Sequence, residues 1–166
     1  CLQELEAEPR NMDSYTVLGW SYIALGDYQK AIEYSNKALS ISRFDNRIIH
    51  ILGEAHYKLG NNLEALKYLE EYVSIAPEGI HVDEVYYFMG EIFIRLEEYN
   101  NADIAISTAV YHEPNISYWW SRLGYAREQA EDFEYALLAY DRALDLNPRL
   151  EEALEAKQRI EQRISG

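Results

Sequence analysis

Small residues recur along this chain of 166 residues at near-constant intervals, and that recurrence restricts what the chain can fold into. Gly19, Gly53, Gly90 and Gly124 are separated by 34, 37 and 34 residues, and Ala31, Ala65, Ala102 and Ala136 keep the same intervals. A period of this length belongs to supersecondary units that bury their apolar faces only by stacking on copies of themselves. The chain is therefore read as an array, in which length counts units rather than enlarging one central core.

Each unit reads as two helices. After Pro9, residues 10–14 supply helix-starting side chains, and Tyr15, Leu18, Tyr22 and Leu25 follow at the spacing of one helical face. Gly26-Asp27 breaks that helix, and Tyr28, Ile32, Ala38 and Leu39 carry a second apolar stripe as far as residue 41. The same reading predicts helix pairs over 46–59 and 63–75, 82–96 and 99–111, and 116–130 and 133–146, closed by Pro77, Pro114 and Pro148. Proline has no N–H to continue a helix, and turns this short permit only antiparallel hairpins. A last helix over 149–164 places Leu150, Ala153, Leu154, Ile160 and Ile164 on one face and charged groups on the other, the pattern of a terminal cap.

Glycine inside a helix costs about 0.8–1.0 kcal/mol relative to alanine, so close helix approach must compensate. We expect the glycine and alanine of one hairpin, such as Gly90 and Ala102, to meet. Tyr22, Leu69, Phe93, Ile106 and Tyr140 are expected to fill the space between neighbouring hairpins.

These positions resemble the tetratricopeptide repeat, with its pattern W-x2-LG-x2-Y, A-x3-F, A, P. The matching residues are Tyr15, Leu18-Gly19, Tyr22, Ala31 and Ala38; Leu52-Gly53, Ala65 and Pro77; Met89-Gly90, Phe93, Ala102, Ala109 and Pro114; and Trp120, Leu123-Gly124, Ala136, Tyr140, Ala143 and Pro148. The resemblance implies an all-α, right-handed α-α superhelix. It would comprise the end of a preceding repeat at 1–9, repeats at 10–45, 46–82, 83–116 and 117–148, and a capping helix at 149–166. Ser35 stands where the pattern has an aromatic, Arg43 where it has proline, and Tyr72 where the other copies have alanine. Three extra residues fall within 77–82, so the junction after the second repeat is expected to differ, with Tyr72 filling part of it.

In this family the first helices line a concave face that holds an extended peptide or a partner helix. The corresponding positions here include Trp20, Arg47, His50, Tyr57, Tyr87, Phe88, Tyr118, Arg122 and Tyr125, which we take as the candidate peptide-binding set. Aromatic residues and arginine bury large area at low entropy cost and dominate interface energetics. The first-helix positions carry Arg47, Lys58, Arg95 and Arg122 against Asp13, Glu54, Glu84, Glu91 and Glu128, and are nearly neutral within a chain of net charge −14. Glu54 and Lys58, like Glu91 and Arg95, are spaced to pair along one helix. Arg47 and Arg122 have no such neighbour, so they are expected to meet a ligand carboxylate or carbonyl, Arg122 being held between Tyr118 and Tyr125. The clamp that holds acidic chaperone tails is not expected, because its places hold Thr16, Trp20, Ile51, Glu84 and Phe88.

Other functions find little support. The acidic balance opposes a nucleic-acid phosphate backbone, and no apolar run approaches the roughly 20 residues of a membrane span. No nucleophile elbow, phosphate loop or metal-ligand cluster stands out, since His50 and Glu54 share a face without a third ligand. An enzyme, a cofactor and a metal are therefore not expected. Cys1, the only cysteine, reads either as the lipid-bearing start of a bacterial lipoprotein or as a point inside a longer chain. The second reading is preferred, and with it the cytoplasm. The sequence points to a scaffold that binds a protein or peptide; the alternative is an assembly element that self-associates through the open end at residues 1–9 or packs against the rest of a longer chain.

Overall fold

The computed structural model describes residues 1–165; Gly166, the last residue of the expected capping segment, lies outside them. The described residues form ten helices and no strand. None of these helices is long and apolar enough to cross a membrane. The chain divides into two compact units, with the boundary between Ile80 and His81, inside the inserted segment at 77–82.

The first unit holds α1 (Leu2–Ala7), α2 (Met12–Ala24), α3 (Tyr28–Ile41), α4 (Asn46–Lys58) and α5 (Asn62–Ile75). The boundaries follow from local chemistry. Asn11 accepts a hydrogen bond from the Ser14 amide at 3.0 Å, Asp27 from Lys30 at 3.3 Å and Asp45 from Arg47 at 3.1 Å, each satisfying a donor that the helix start leaves open. Helix α2 pairs with α3 and α4 with α5, while α4 packs on both α2 and α3. The core between them is built from Tyr15, Ala31, Ala38, Ile48, Ile51, Leu52 and Ala55.

The second unit holds α6 (Val82–Arg95), α7 (Tyr99–His112), α8 (Ser117–Gln129), α9 (Phe133–Leu146) and α10 (Glu151–Ser165). Here α6 pairs with α7 and α8 with α9, α7 packs on α8, and α10 lies on α9 and α8. Helix α10 buries Ala153, Ala156 and Ile160, whereas Leu154 and Ile164 are 41% and 59% exposed. The expected apolar stripe was thus too wide. Leu154 lies about 100° round the helix from Ala153, off the seam that faces α9.

The hairpin glycines are sites of close helix approach, and a large side chain lies over each of them. A Cβ added at Gly90 would overlap Ile106 Cγ1, one at Gly53 would sit 2.5 Å from Leu69 Cδ2, and one at Gly124 would sit 2.8 Å from the Tyr140 ring. The side chain over each glycine is therefore the residue four beyond the repeat alanine, and it comes from the same hairpin. Leu69, Ile106 and Tyr140 fill hairpins internally rather than the space between them. In the first hairpin the corresponding residue is Ser35, which is too small, and Ile51 from α4 covers Gly19 instead, 2.8 Å from an added Cβ. Ser35 itself is fully buried with its hydroxyl unpaired among the described residues. Tyr72 packs its ring on His50 at 4.9 Å, and its hydroxyl occupies the space that a side chain at Gly79 would need. It is therefore seated in the first unit, against the start of the inserted segment.

Two further devices recur. The Tyr15 hydroxyl donates to the Pro9 carbonyl at 3.4 Å and Trp120 Nε1 to the Pro114 carbonyl at 2.8 Å, tying the first helix of a hairpin to the proline before it. The hairpin turns place one residue at positive φ, namely Gly26, Gly60, Glu97 and Glu131. Glycine adopts that conformation freely, whereas a residue with Cβ is strained by about 1–2 kcal/mol.

Two stability measurements test this packing. In urea unfolding, Gly90→Ala should lower stability by about 1–3 kcal/mol through overpacking on Ile106, and the loss should shrink when Ile106 is also made smaller. Conversely, Glu97→Gly should raise stability by about 0.5–1 kcal/mol, since relief of strain outweighs the added freedom of the unfolded chain.

Candidate peptide-binding faces

The nine residues selected from the sequence divide between the units. In the first, Trp20 is half-buried, with its ring edge-on to His50 at 5.0 Å. His50 is only 2% exposed, enclosed between Trp20 and Tyr72, and Tyr57 is 8% exposed. Both were expected on an open surface and instead form part of its foundation. Arg47 is exposed but not free: its guanidinium spans Asp45, with Nη2 2.7 Å from Oδ2, and Asp13, with Nη1 2.7 Å from Oδ1. These two carboxylates, Asp45 first, hold the Arg47 pKa above the ordinary arginine value.

In the second unit Tyr87 and Phe88 are 9% and 5% exposed. Tyr87 stacks on Trp119 at 4.9 Å with planes 10° apart and meets Tyr118 edge-on at 6.5 Å. Tyr87 and Phe88 are therefore largely buried supports, and Trp119 belongs to the same packing. Tyr118 remains 45% exposed. Arg122 makes a two-pronged ion pair with Glu91, Nε to Oε1 at 2.6 Å and Nη2 to Oε2 at 3.2 Å. Its other side lies over the Tyr125 ring, 4.9 Å from the centroid. Burial works against its charge, but Glu91 outweighs burial and keeps the guanidinium strongly basic.

The expectation that Arg47 and Arg122 await a ligand carboxylate is therefore corrected. Arg122 finds its partner on the neighbouring first helix, Glu91 being 31 residues back in sequence, and Arg47 is shared between Asp45, two residues back, and Asp13 of α2, 34 residues back. A search for partners along a single helix misses contacts between adjacent helices. The same geometry recurs at the end of the chain, where Arg159 of α10 binds Glu128 of α8 through Nε at 2.7 Å and Nη2 at 2.9 Å, again 31 residues apart. Glu128 is 8% exposed and also accepts from the Tyr140 hydroxyl at 2.9 Å. Burial and that carboxylate push the Tyr140 phenol well above its ordinary pKa.

Between α8 and α10 lies a hollow of about 270 Å³. Tyr118, Ser121, Arg122 and Tyr125 line it from α8, Tyr140 from α9, and Glu152, Glu155, Ala156 and Arg159 from α10. Tyr87, expected to share a hollow with Arg122, is not among the lining residues. The α10 residues were missed because their helix read as a cap with its polar face turned to water. A signal was present: Glu152, Glu155, Ala156 and Arg159 lie 34 residues after Tyr118, Ser121, Arg122 and Tyr125, so the repeat frame runs through the last helix.

The ion pair between Arg122 and Glu91 is mostly shielded from solvent and should contribute to stability. Arg122→Ala should destabilise the chain by about 1–3 kcal/mol in urea unfolding, and Arg122→Lys should recover only part, because a lysine cannot reproduce the forked contact.

The tetratricopeptide repeat family matches residues 13–45, 47–78 and 83–116. A TPR repeat-containing protein of Methanocaldococcus jannaschii is 31% identical over 101 residues, covering 61% of this chain and 17% of that protein. The peroxisomal targeting signal receptor of Kluyveromyces lactis is 27% identical over 147 residues, covering 88% and 26%. The chain thus spans only about a quarter or less of these relatives. Among solved structures, a MamA from Desulfovibrio magneticus RS-1 superposes with a TM-score of 0.83 at 18% identity, covering 93% of this chain and 85% of that one. YrrB, described as a TPR protein with an unusual peptide-binding site, gives 0.78 at 23% identity, covering 93% and 78%. These two likenesses concern the fold. With more than half of its residues matched, and with hairpins whose glycines and alanines repeat in register, this chain belongs to the tetratricopeptide repeat family.

Proposed function

We infer that the chain is a protein-interaction scaffold whose first helices present binding faces for a peptide or partner helix. The observation that carries this reading is the partition of side chains on those helices. His50, Tyr57, Tyr87 and Phe88 are consumed in packing, whereas Val17 and Tyr118 are about half exposed and Tyr118 borders a hollow. Stability uses the small residues and the buried rings, and it leaves this remainder available. Concave surfaces with aromatic walls and a few polar groups are the ordinary form of a ligand site. The likeness to YrrB and to the peroxisomal receptor agrees with binding of protein segments. Trp20, Tyr118, Arg122 and Tyr125 are the members of the original set best placed for contact, with Arg122 acting as a fixed wall.

Assembly of copies is the second reading, favoured by apolar side chains exposed on the second helices of the second unit: Ile104 at 69%, Tyr111 at 82% and Leu138 at 58%. One pair of measurements separates the two. Peptides selected from a display library against the whole chain should lose at least about fivefold in affinity on Tyr118→Ala, the range of an aromatic interface anchor, while light scattering shows a monomer. Peptides that bind the variant equally well, together with an oligomer dissociated by Leu138→Glu, would replace the first reading with the second.

A further inference from the structure

The hollow between α8 and α10 has a chemistry opposite to the one its arginines suggest. We propose that it receives a basic side chain, lysine or arginine, of a bound protein segment; this deepens the scaffold reading and rests on it.

The hollow exists because of one small residue. Ser121 lies three positions before Gly124, where the two copies immediately before it place Tyr87 before Gly90 and His50 before Gly53. Those rings fill their positions and are buried. A serine leaves the space empty, and Ala156 of α10 borders it without filling it. Ser121 is only 3% exposed and lines the hollow, and its hydroxyl makes no hydrogen bond among the described residues. A nearly buried hydroxyl without a partner is unfavourable unless a ligand group or water completes it.

Charge decides which ligand group. Arg122 and Arg159 each direct Nε and one Nη to a carboxylate, Glu91 and Glu128 respectively. Glu152 and Glu155, one turn apart on α10, enter no ion pair among the described residues and border the same space. Four carboxylates therefore surround two guanidiniums, inside a chain of net charge −14. An anion entering here would meet more negative than positive charge at short range. A cation would meet the carboxylates of Glu152 and of Glu155, whose charge also acts on Arg159, together with Ser121 and the rings of Tyr118 and Tyr125, which also favour an ammonium or guanidinium. About 270 Å³ is room for one long side chain rather than a folded element.

The test follows the backbone amides of the whole chain by NMR during titration with three acetylated, amidated tripeptides, Gly-Lys-Gly, Gly-Arg-Gly and Gly-Glu-Gly. The basic peptides should shift the amides of Ser121, Tyr125, Glu152 and Glu155 saturably, with the glutamate peptide silent there. Glu152→Gln with Glu155→Gln, both exposed and outside the core, should weaken the basic peptides by roughly three- to tenfold. Equal or stronger shifts with the glutamate peptide, or unchanged affinity in the double variant, would overturn the charge assignment. Silence with all three would remove the hollow as a site. The broader scaffold reading is decided separately, by library-selected peptides and Tyr118→Ala.

Discussion

The contact on which the hairpins depend is a glycine lying under a large side chain sixteen residues further along. Gly53 under Leu69, Gly90 under Ile106 and Gly124 under Tyr140 are three instances of one geometry. Removing Cβ from the first helix lets the second lie close, and the branched or aromatic group then covers the exposed backbone. The penalty of glycine in a helix is offset by the apolar area this approach buries, at about 25 cal/mol per Å². The first hairpin shows that the space matters more than its source, because there the covering group, Ile51, arrives from the next hairpin.

A second layer of order links successive first helices by charge. Glu91 to Arg122 and Glu128 to Arg159 share a separation of 31 residues and a two-pronged geometry, while Asp13 to Arg47 links α2 to α4. In each unit these pairs use arginines that would otherwise define an anion-binding face. Guanidinium and carboxylate match in shape, so the pair of Arg122 with Glu91, mostly shielded from water, holds α8 to α6 and leaves little charge for a ligand, whereas the exposed pair of Asp13 with Arg47 contributes little.

The architecture was legible because it rests on residues that recur. Glycines and alanines at fixed intervals, prolines at hairpin ends and apolar stripes place each helix within a few residues of its observed position. The candidate site was less legible, for two physical reasons. Exposure of a first-helix residue depends on the size of its neighbours on the next helix, so Tyr57, Tyr87 and Phe88 looked open and are packed. Glu91, the partner of Arg122, lies one repeat away, where helical spacing along a single element does not reach, and Asp45, two residues before Arg47, is a helix cap that a search at helical spacing passes over. The turns show the converse case: Glu97 and Glu131 occupy the left-handed conformation that Gly26 and Gly60 take in the earlier hairpins, so tertiary packing imposes a turn that local preference does not favour.

The last helix joins both layers. Read as a cap, α10 needs only Ala153, Ala156 and Ile160 against α9 and α8 to close the second unit. Yet it also carries Arg159 into a pair with Glu128, Arg163 onto Glu131 and over the Phe133 ring, and Lys157 onto Asp141. Three basic groups within two turns of one another thus bind acids of α8, α9 and the turn between them, and together they favour one rotation of α10 about its axis. That rotation carries Glu155 and Glu152, one and two turns before Arg159, to the edge of the hollow that Ser121 also lines. A helix held only by three apolar contacts could roll with little penalty. Held also by the forked pair of Arg159 with the nearly buried Glu128, it presents the same two carboxylates to α8, and the cap becomes the second wall of a site.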